Sequence, residues 1–209
     1  MKELKPYYHR RLPHYQPKDS ILFVTFRLAN SLPKNVVVQL LQEREQREIN
    51  IMCEKNREKK QILLQEEGRR YFGHFDSYLD RVMTEIHWLA NPVVAEVVKN
   101  SILFYDQKIY EVVAFCIMSN HVHLVLNMEK TNVPLHSILQ RVKSYSARKA
   151  NSLLEMKGIF WQRENYDHVV RNSEELKRIV RYVMENPLKA GLCKTWSDWR
   201  WTFINEKYL

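Results

Sequence analysis

Apolar positions along the chain change their period several times, and each change marks an element. The run Ile21–Leu28 (ILFVTFRL) is short, rich in β-branched and aromatic residues, and followed by Asn30, Ser31 and Pro33. That pattern predicts a buried strand ending in a turn, the first strand of the chain. From Lys34 the period becomes helical through Val37, Leu40 and Leu41, and Glu, Lys, Arg and Gln then dominate to about 67. Gly68 and Gly73 are expected to break this helix, leaving an aromatic, irregular stretch up to Asn91-Pro92 and a short helix over 93–104. The segment 49–91 reads as a helical insertion.

Two strands are predicted next, over 108–118 and 120–128, with the bend at Ser119-Asn120. Pro134 can open a helix that Leu135, Ile138, Leu139 and Val142 continue to about 154, and Gly158 ends it. A strand over 166–170 follows. Ser173 with Glu174 and Glu175 opens a last helix, which Pro187 is expected to close just after Glu185. With the insertion set aside, the order is strand, helix, strand, strand, helix, strand, helix. This predicts one α+β domain over 1–209 of ferredoxin-like split βαβ type, an antiparallel sheet with helices on one face, plus one added C-terminal helix.

Composition narrows the function. The formal charge is +9, and between Arg141 and Arg200 13 Lys or Arg stand against 7 Asp or Glu. That last third also carries four of the five tryptophans. Cations interleaved with aromatic faces point to a polyanion such as nucleic acid, although a solvated basic surface over a tryptophan-rich core gives the same composition. Cys53, Cys116 and Cys193 are far apart and lack metal-ligand spacing, so a reducing cytoplasm is the expected setting. No stretch approaches the roughly 20 apolar residues of a membrane span, and no secretory leader is read at the start.

Two constellations carry chemistry. In Asn120-His121-Val122-His123-Leu124, alternation puts both histidines on one face of a strand, where two neutral imidazoles can share a metal ion. Two histidines on a half-exposed strand are the plain alternative. In Tyr182-Val183-Met184-Glu185-Asn186, a spacing of four sets Tyr182 and Asn186 one turn apart, with Arg178, away from the apolar face of Leu176, Ile179, Val180 and Val183. An amide oxygen from Asn186 would add to a histidine-held metal and leave positions open for phosphate and water. An exposed helical tyrosine without chemistry is the alternative there. Tyr145 is the rival, but one turn on stands Lys149, which cannot ligate a metal while charged.

Together these motifs resemble a known family. Met118-Ser119-Asn120-His121-Val122-His123-Leu124, Gly158-Ile159-Phe160-Trp161-Gln162, Tyr166-Asp167-His168-Val169-Val170-Arg171 and the run from Arg181 to Leu192 resemble the REP-associated tyrosine transposases, relatives of the single-tyrosine HUH transposases. Arg11-Leu12-Pro13-His14-Tyr15-Gln16-Pro17 and Phe23-Val24-Thr25-Phe26-Arg27-Leu28 extend the likeness over nearly the whole chain.

The resemblance implies that His121 and His123 bind the metal, Mg2+ or Mn2+, that Asn186 sits at the amide-ligand position, and that Tyr182 is the nucleophile. It also implies cleavage and rejoining of single-stranded DNA through a 5′-phosphotyrosine, on hairpins of repeated palindromic elements, by a monomer or homodimer. Lys143, Arg148, Lys149, Arg163 and Arg171 are candidate phosphate contacts. Asp167 and His168 are candidates to assist the metal or orient DNA, and Trp161 and Trp199 to stack on bases or fill the core. The alternatives are a domesticated, non-catalytic nucleic-acid-binding module and a metal-dependent hydrolase of small molecules.

Overall fold

The computed structural model describes residues 7–9, 13–15, 17, 19–81 and 84–208, the first two segments by backbone alone. Of the amino-terminal motif, Arg11, Leu12 and Gln16 lie outside the described residues. The chain divides into two compact units, Met1–Ala29 with His87–Leu209, and Asn30–Ile86.

The larger unit opens on a two-stranded antiparallel hairpin, β1 (Tyr7–His9) and β2 (Pro13–Tyr15), so the strand expected to be first is in fact third. These three-residue strands are too short to show a period, and Pro13, which lacks an N–H, stands at the first position of β2. Next come β3 (Ile21–Leu28), β4 (Glu111–Ile117), β5 (His121–Asn127), β6 (Trp161–Val170) and β7 (Thr202–Ile204). They form one sheet in the order β6-β3-β5-β4-β7, every neighbouring pair antiparallel. It follows that β3 runs parallel to β4 with β5 between them, and β5 parallel to β6 with β3 between them. Parallel strands need a crossover, and two interleaved crossovers are the split βαβ arrangement of an α+β, ferredoxin-like sheet.

The helices of this unit are α3 (Pro92–Leu103), α4 (Leu135–Leu153) and α5 (Ser173–Lys189). Asn91 caps α3 by accepting from Val93 N–H at 3.0 Å, as an Asn before a first-turn Pro should. Pro134 precedes α4, which buries Leu135, Ile138, Leu139, Val142, Ser146 and Ala150, the three-and-four spacing of one face. Ser146 Oγ accepts from Trp161 Nε1 at 2.9 Å, and Lys143 Nζ lies 5.4 Å from the Phe26 ring centroid. Phe26 stands opposite Val122 in the ladder, so α4, with α3 packed beside it, covers the face that carries Phe26, Val122 and Leu124. α5 covers the other face.

The carboxyl-terminal strand β7 escapes a reading of period because it has three residues. It is held by the Phe203 ring stacked on Phe115 at 5.4 Å, and Trp199 Nε1 donates to Ile117 O at 3.0 Å.

The smaller unit consists chiefly of α1 (Lys34–Met52) and α2 (Arg57–Asp80). Gly68 and Gly73 lie inside α2, where they were expected to break the helix. A helical glycine costs about 1 kcal/mol relative to alanine, less than a long run of strong helix formers supplies. The break falls instead at 53–56, where Asn56 Oδ1 accepts from Lys59 N–H at 3.0 Å and Glu54 Oε1 from Asn56 N–H at 3.0 Å. Arg44 lies over the Tyr71 ring at 5.0 Å, joining the two helices. Among the described residues, no helix is long and apolar enough to cross a membrane.

Candidate active site

The centre of the larger unit's sheet carries the two histidines. Alternation along β5 sends His121 and His123 to the α5 side, and both are fully buried rather than half-exposed, because α5 lies over that face. Their Nε2 atoms are 3.0 Å apart and their rings meet at 78°. Behind them, His121 Nδ1 lies 2.6 Å from Asn120 Oδ1, and His123 Nδ1 2.8 Å from Thr25 Oγ1. Thr25 faces His123 in the ladder between β3 and β5, and Cys116 faces it from β4. Asn120 is fixed by the tight β4–β5 connection, in which Met118 N–H donates to His121 O at 2.9 Å and Leu28 N–H to Asn120 O at 2.8 Å. Burial pushes the His123 imidazole down to about 3, so the ring is neutral at physiological pH.

The helix α5 brings the tyrosine to this pair. The Tyr182 ring is edge-on to His123, with centroids 5.3 Å apart. Phe23 stacks on His123 at 5.8 Å and meets Tyr182 edge-on at 6.0 Å. One turn beyond, Asn186 is fully buried, and neither Oδ1 nor Nδ2 has a hydrogen-bond partner among the described residues. The expectation that Tyr182, Arg178 and Asn186 share the side away from the apolar face is corrected: Arg178 is exposed, while Asn186 is buried with Val180, Val183 and Pro187. A spacing of three ties Asn186 to Val183 as closely as a spacing of four ties it to Tyr182. Tyr182 sits half-buried at the margin of that stripe.

Pro187 does not close the helix either. α5 continues to Lys189, since Pro187 withholds a single N–H, and Ala190 N–H still donates to Asn186 O at 3.0 Å. The end comes at Gly191, whose φ of 70° permits the reversal, with Leu192 N–H donating to Pro187 O at 2.9 Å.

At the other end of α5, His168 on β6 reaches the first turn. Its Nε2 is 3.0 Å from Glu175 Oε1, and Glu175 Oε2 accepts from Arg171 N–H at 2.9 Å. Asn172 Oδ1 caps the helix by accepting from Glu175 N–H at 2.9 Å. Desolvation acts to raise the Glu175 carboxyl, but these bonds and the charges of His168 and Arg171 outweigh it and hold the carboxyl below its ordinary value.

The other sequence-derived candidates are dispersed. Tyr145, Lys143, Arg148 and Lys149 are on α4, across the sheet from the imidazoles; Tyr145, Arg148 and Lys149 are exposed there, and Lys143 Nζ donates to Gln162 O at 3.1 Å. Arg163 and Arg171 are exposed at and just beyond β6. Asp167 faces the α4 side in register with Val24, opposite to His168. Trp161 is buried, with its Nε1 on Ser146 Oγ, and Trp199 is half-buried, with its Nε1 on Ile117 O. Phe23, Thr25 and Asn120 were not singled out from sequence as members of the site. The one signal was Thr25, a lone hydroxyl within the apolar run ILFVTFRL.

The donor set fits a divalent ion. Two nitrogens each about 2.1 Å from one ion, at right angles as in octahedral coordination, stand about 3 Å apart, as the two Nε2 atoms do. One turn beyond Tyr182, Asn186 buries an amide oxygen without a partner among the described residues.

Residues 81–186, just over half of the chain, match the family model described as transposase IS200 like. The chain belongs to the IS200-like transposase family. The matched stretch contains both histidines and ends at Asn186. A putative REP-associated tyrosine transposase of Haemophilus influenzae is 25% identical over 107 residues, 46% of this chain and 60% of the relative. A REP-associated tyrosine transposase of Escherichia coli is 26% identical over 90 residues, 43% of this chain and 52% of the relative. The chain thus spans between half and two thirds of these curated relatives. Among solved structures, a REP-associated tyrosine transposase bound to a REP hairpin shares the fold of this IS200-like chain. Its TM-score is 0.54 at 17% identity, covering 97% of this chain and 82% of that one.

Proposed function

We propose that this protein cleaves and rejoins single-stranded DNA beside a hairpin, with Tyr182 as nucleophile and His121, His123 and Asn186 holding Mg2+ or Mn2+. The observation that carries the reading is the approach of the Tyr182 ring to His123 at 5.3 Å while Asn186, one turn on, buries an amide with no partner. A polar side chain is rarely left so in a core, and its place one turn from the tyrosine that meets His123 supports a ligand's role. The curated relatives bear the name REP-associated tyrosine transposase, and the solved structure of one holds a REP hairpin.

The bound ion would supply Lewis-acid polarisation of the scissile phosphate. The protein's own groups do the rest. The Tyr182 phenolic oxygen attacks phosphorus in line, losing its proton as the bond to the 3′ oxygen breaks. A 5′-phosphotyrosine and a free 3′ hydroxyl result. Attack by another 3′ hydroxyl reverses the exchange and returns the proton to Tyr182, so no nucleotide cofactor is required. α5 positions the tyrosine, its first turn fastened to β6 through His168 and Glu175. Lys143, Arg148 and Lys149 on α4, and Arg163 and Arg171 at β6, are assigned to phosphates of the DNA away from the reacting one. Three free thiols accord with action in the cytoplasm.

The test is incubation of the protein, Tyr182→Phe and Tyr145→Phe with labelled hairpin-bearing single strands and Mn2+, followed by denaturing electrophoresis. A covalent adduct with the parent protein and Tyr145→Phe, absent with Tyr182→Phe, is expected. An adduct that survives Tyr182→Phe removes the nucleophile assignment, and hairpin binding without any adduct favours a non-catalytic module.

A further inference from the structure

Of the five tryptophans, four have partners. The Trp88 ring stacks on Phe160 at 5.5 Å, Trp161 and Trp199 donate from Nε1 to Ser146 Oγ and Ile117 O, and Trp201 lies under the Arg200 guanidinium at 4.4 Å. Trp196 is 40% exposed, and among the described residues its ring meets no other ring or cation and its Nε1 no acceptor. Tryptophan is on average deeply buried, so an unpartnered indole at the surface marks a binding position. The turn that displays it is fixed. Thr195 N–H donates to Asp198 Oδ2 at 3.1 Å, Asp198 N–H to Thr195 O at 3.1 Å and Trp199 N–H to Trp196 O at 3.2 Å. A ring so mounted has only its two side-chain torsions to lose on binding.

This turn borders the candidate site. On the α5 side of the sheet, one row runs from Tyr166 on β6 through Thr25, His123 and Cys116 to Thr202 on β7. At about 4.8 Å per strand, Thr202 stands roughly 10 Å from His123. Thr202 N–H donates to Trp199 O at 3.0 Å, and the turn Trp196–Asp198 packs against α5, the helix that carries Tyr182. The surroundings are cationic: from Lys189 to Arg200, Lys189, Lys194 and Arg200 stand against the single acid Asp198, whose carboxylate is engaged in the turn.

We propose that Trp196 is a stacking platform for an unpaired base of the DNA strand flanking the reacting phosphate, with Lys194 on the adjoining backbone phosphate. The inference rests on reading the protein as one that acts on single-stranded DNA. Stacking on an aromatic ring tolerates any sequence, because every base has a π face, and the cations attract the backbone between the bases. A base within a duplex is already stacked on both faces and has none to give to the indole.

The experiment measures binding, by fluorescence anisotropy at low salt, of labelled DNA hairpins with unpaired oligothymidine flanks and of the same hairpins without flanks. The proteins are the parent, Trp196→Ala and Trp196→Phe. Trp196→Ala is expected to bind the flanked hairpins about 5–100-fold more weakly, the loss of one base–aromatic stack, and the unflanked ones like the parent. Trp196→Phe is expected to recover most of the difference. An abasic nucleotide stepped through the flank should weaken binding by the parent at one position and leave Trp196→Ala unaffected there. A parent that binds neither DNA refutes the DNA reading and the platform with it. A parent that binds while Trp196→Ala binds flanked hairpins equally well, or loses flanked and unflanked DNA alike, overturns the platform alone. A parent indifferent to every abasic position overturns it whether or not Trp196→Ala folds.

Discussion

Phe23 touches both halves of the candidate site: its ring stacks on His123 at 5.8 Å and meets Tyr182 edge-on at 6.0 Å. It lies 3% exposed on β3 and sets the height at which α5 rides over the histidines. Phe23→Leu keeps the site apolar but removes both ring contacts, at a stability cost on the order of 1 kcal/mol. Adduct formation should fall much further, on the order of 100-fold, because a displacement of about 1 Å at a reacting group can cost that much. Urea melts and single-turnover adduct rates check it. A variant that loses the stability but keeps the rate would deny Phe23 any part in placing Tyr182.

Asn186 gives the sharpest contrast between stability and function. Its two buried polar atoms have no partner among the described residues, and a buried unsatisfied group costs about 1–3 kcal/mol. Asn186→Leu, close in volume, is therefore expected to raise the stability of the metal-free protein by on the order of 1 kcal/mol while abolishing stabilisation by Mn2+. The urea midpoint with EDTA and with Mn2+ measures both. A metal-free variant less stable than the parent would show that the amide is satisfied in solution, and would undercut its assignment as a ligand.

The buried imidazole predicts how stability depends on pH. The His123 value, lowered by burial to about 3, lies below the unfolded value of 6.5. Above that unfolded value the ring is neutral in both states and contributes no slope. As pH falls from 6.5 towards 3, the unfolded chain takes up a proton that the folded chain refuses. Stability is therefore lost in this window, by at most about 1.4 kcal/mol per pH unit. Glu175 acts lower: its carboxyl is held below 4.5, so its contribution is present above 4.5 and is lost as pH falls through the folded value. Urea midpoints in EDTA between these two unfolded values isolate the histidine. His123→Phe should flatten that limb, and an unchanged slope would assign it to other groups.

What was legible in the sequence, and what was not, follows from the range of the interactions. The β5 alternation placed both histidines on one face, because a period of two depends only on the local backbone. The boundaries of α3 and α4 were legible for the same reason, as Pro92 and Pro134 act on their own neighbours. The exposure of the histidine face was not, since it depends on α5 folding over from far along the chain. Nor was the burial of Asn186, because its offsets from Val183 and Tyr182 fit either side of the helix until the sheet selects one. The hydrogen bond between Thr25 and His123 joins residues 98 apart in the chain. Only the register of β3 on β5 reveals it.

Lys189 stands two turns beyond Tyr182, with its Nζ 5.1 Å from the centroid of the tyrosine ring and 3.5 Å from Glu185 Oε2. A cation over an aromatic face at such an exposed place contributes about 0.5–1 kcal/mol. The attraction grows as negative charge develops on the phenolic oxygen, so part of it acts on the transition state. Lys189→Gln is therefore expected to slow adduct formation about 2–5-fold, the rate equivalent of that energy. Mn2+ affinity and the urea midpoint should stay where they were, and Lys189→Arg should recover most of the rate. Single-turnover assays at saturating metal and DNA make the comparison. Equal rates for Lys189→Gln and the parent would reduce the contact to surface packing, and a loss that Lys189→Arg does not restore would point to a steric rather than an electrostatic role.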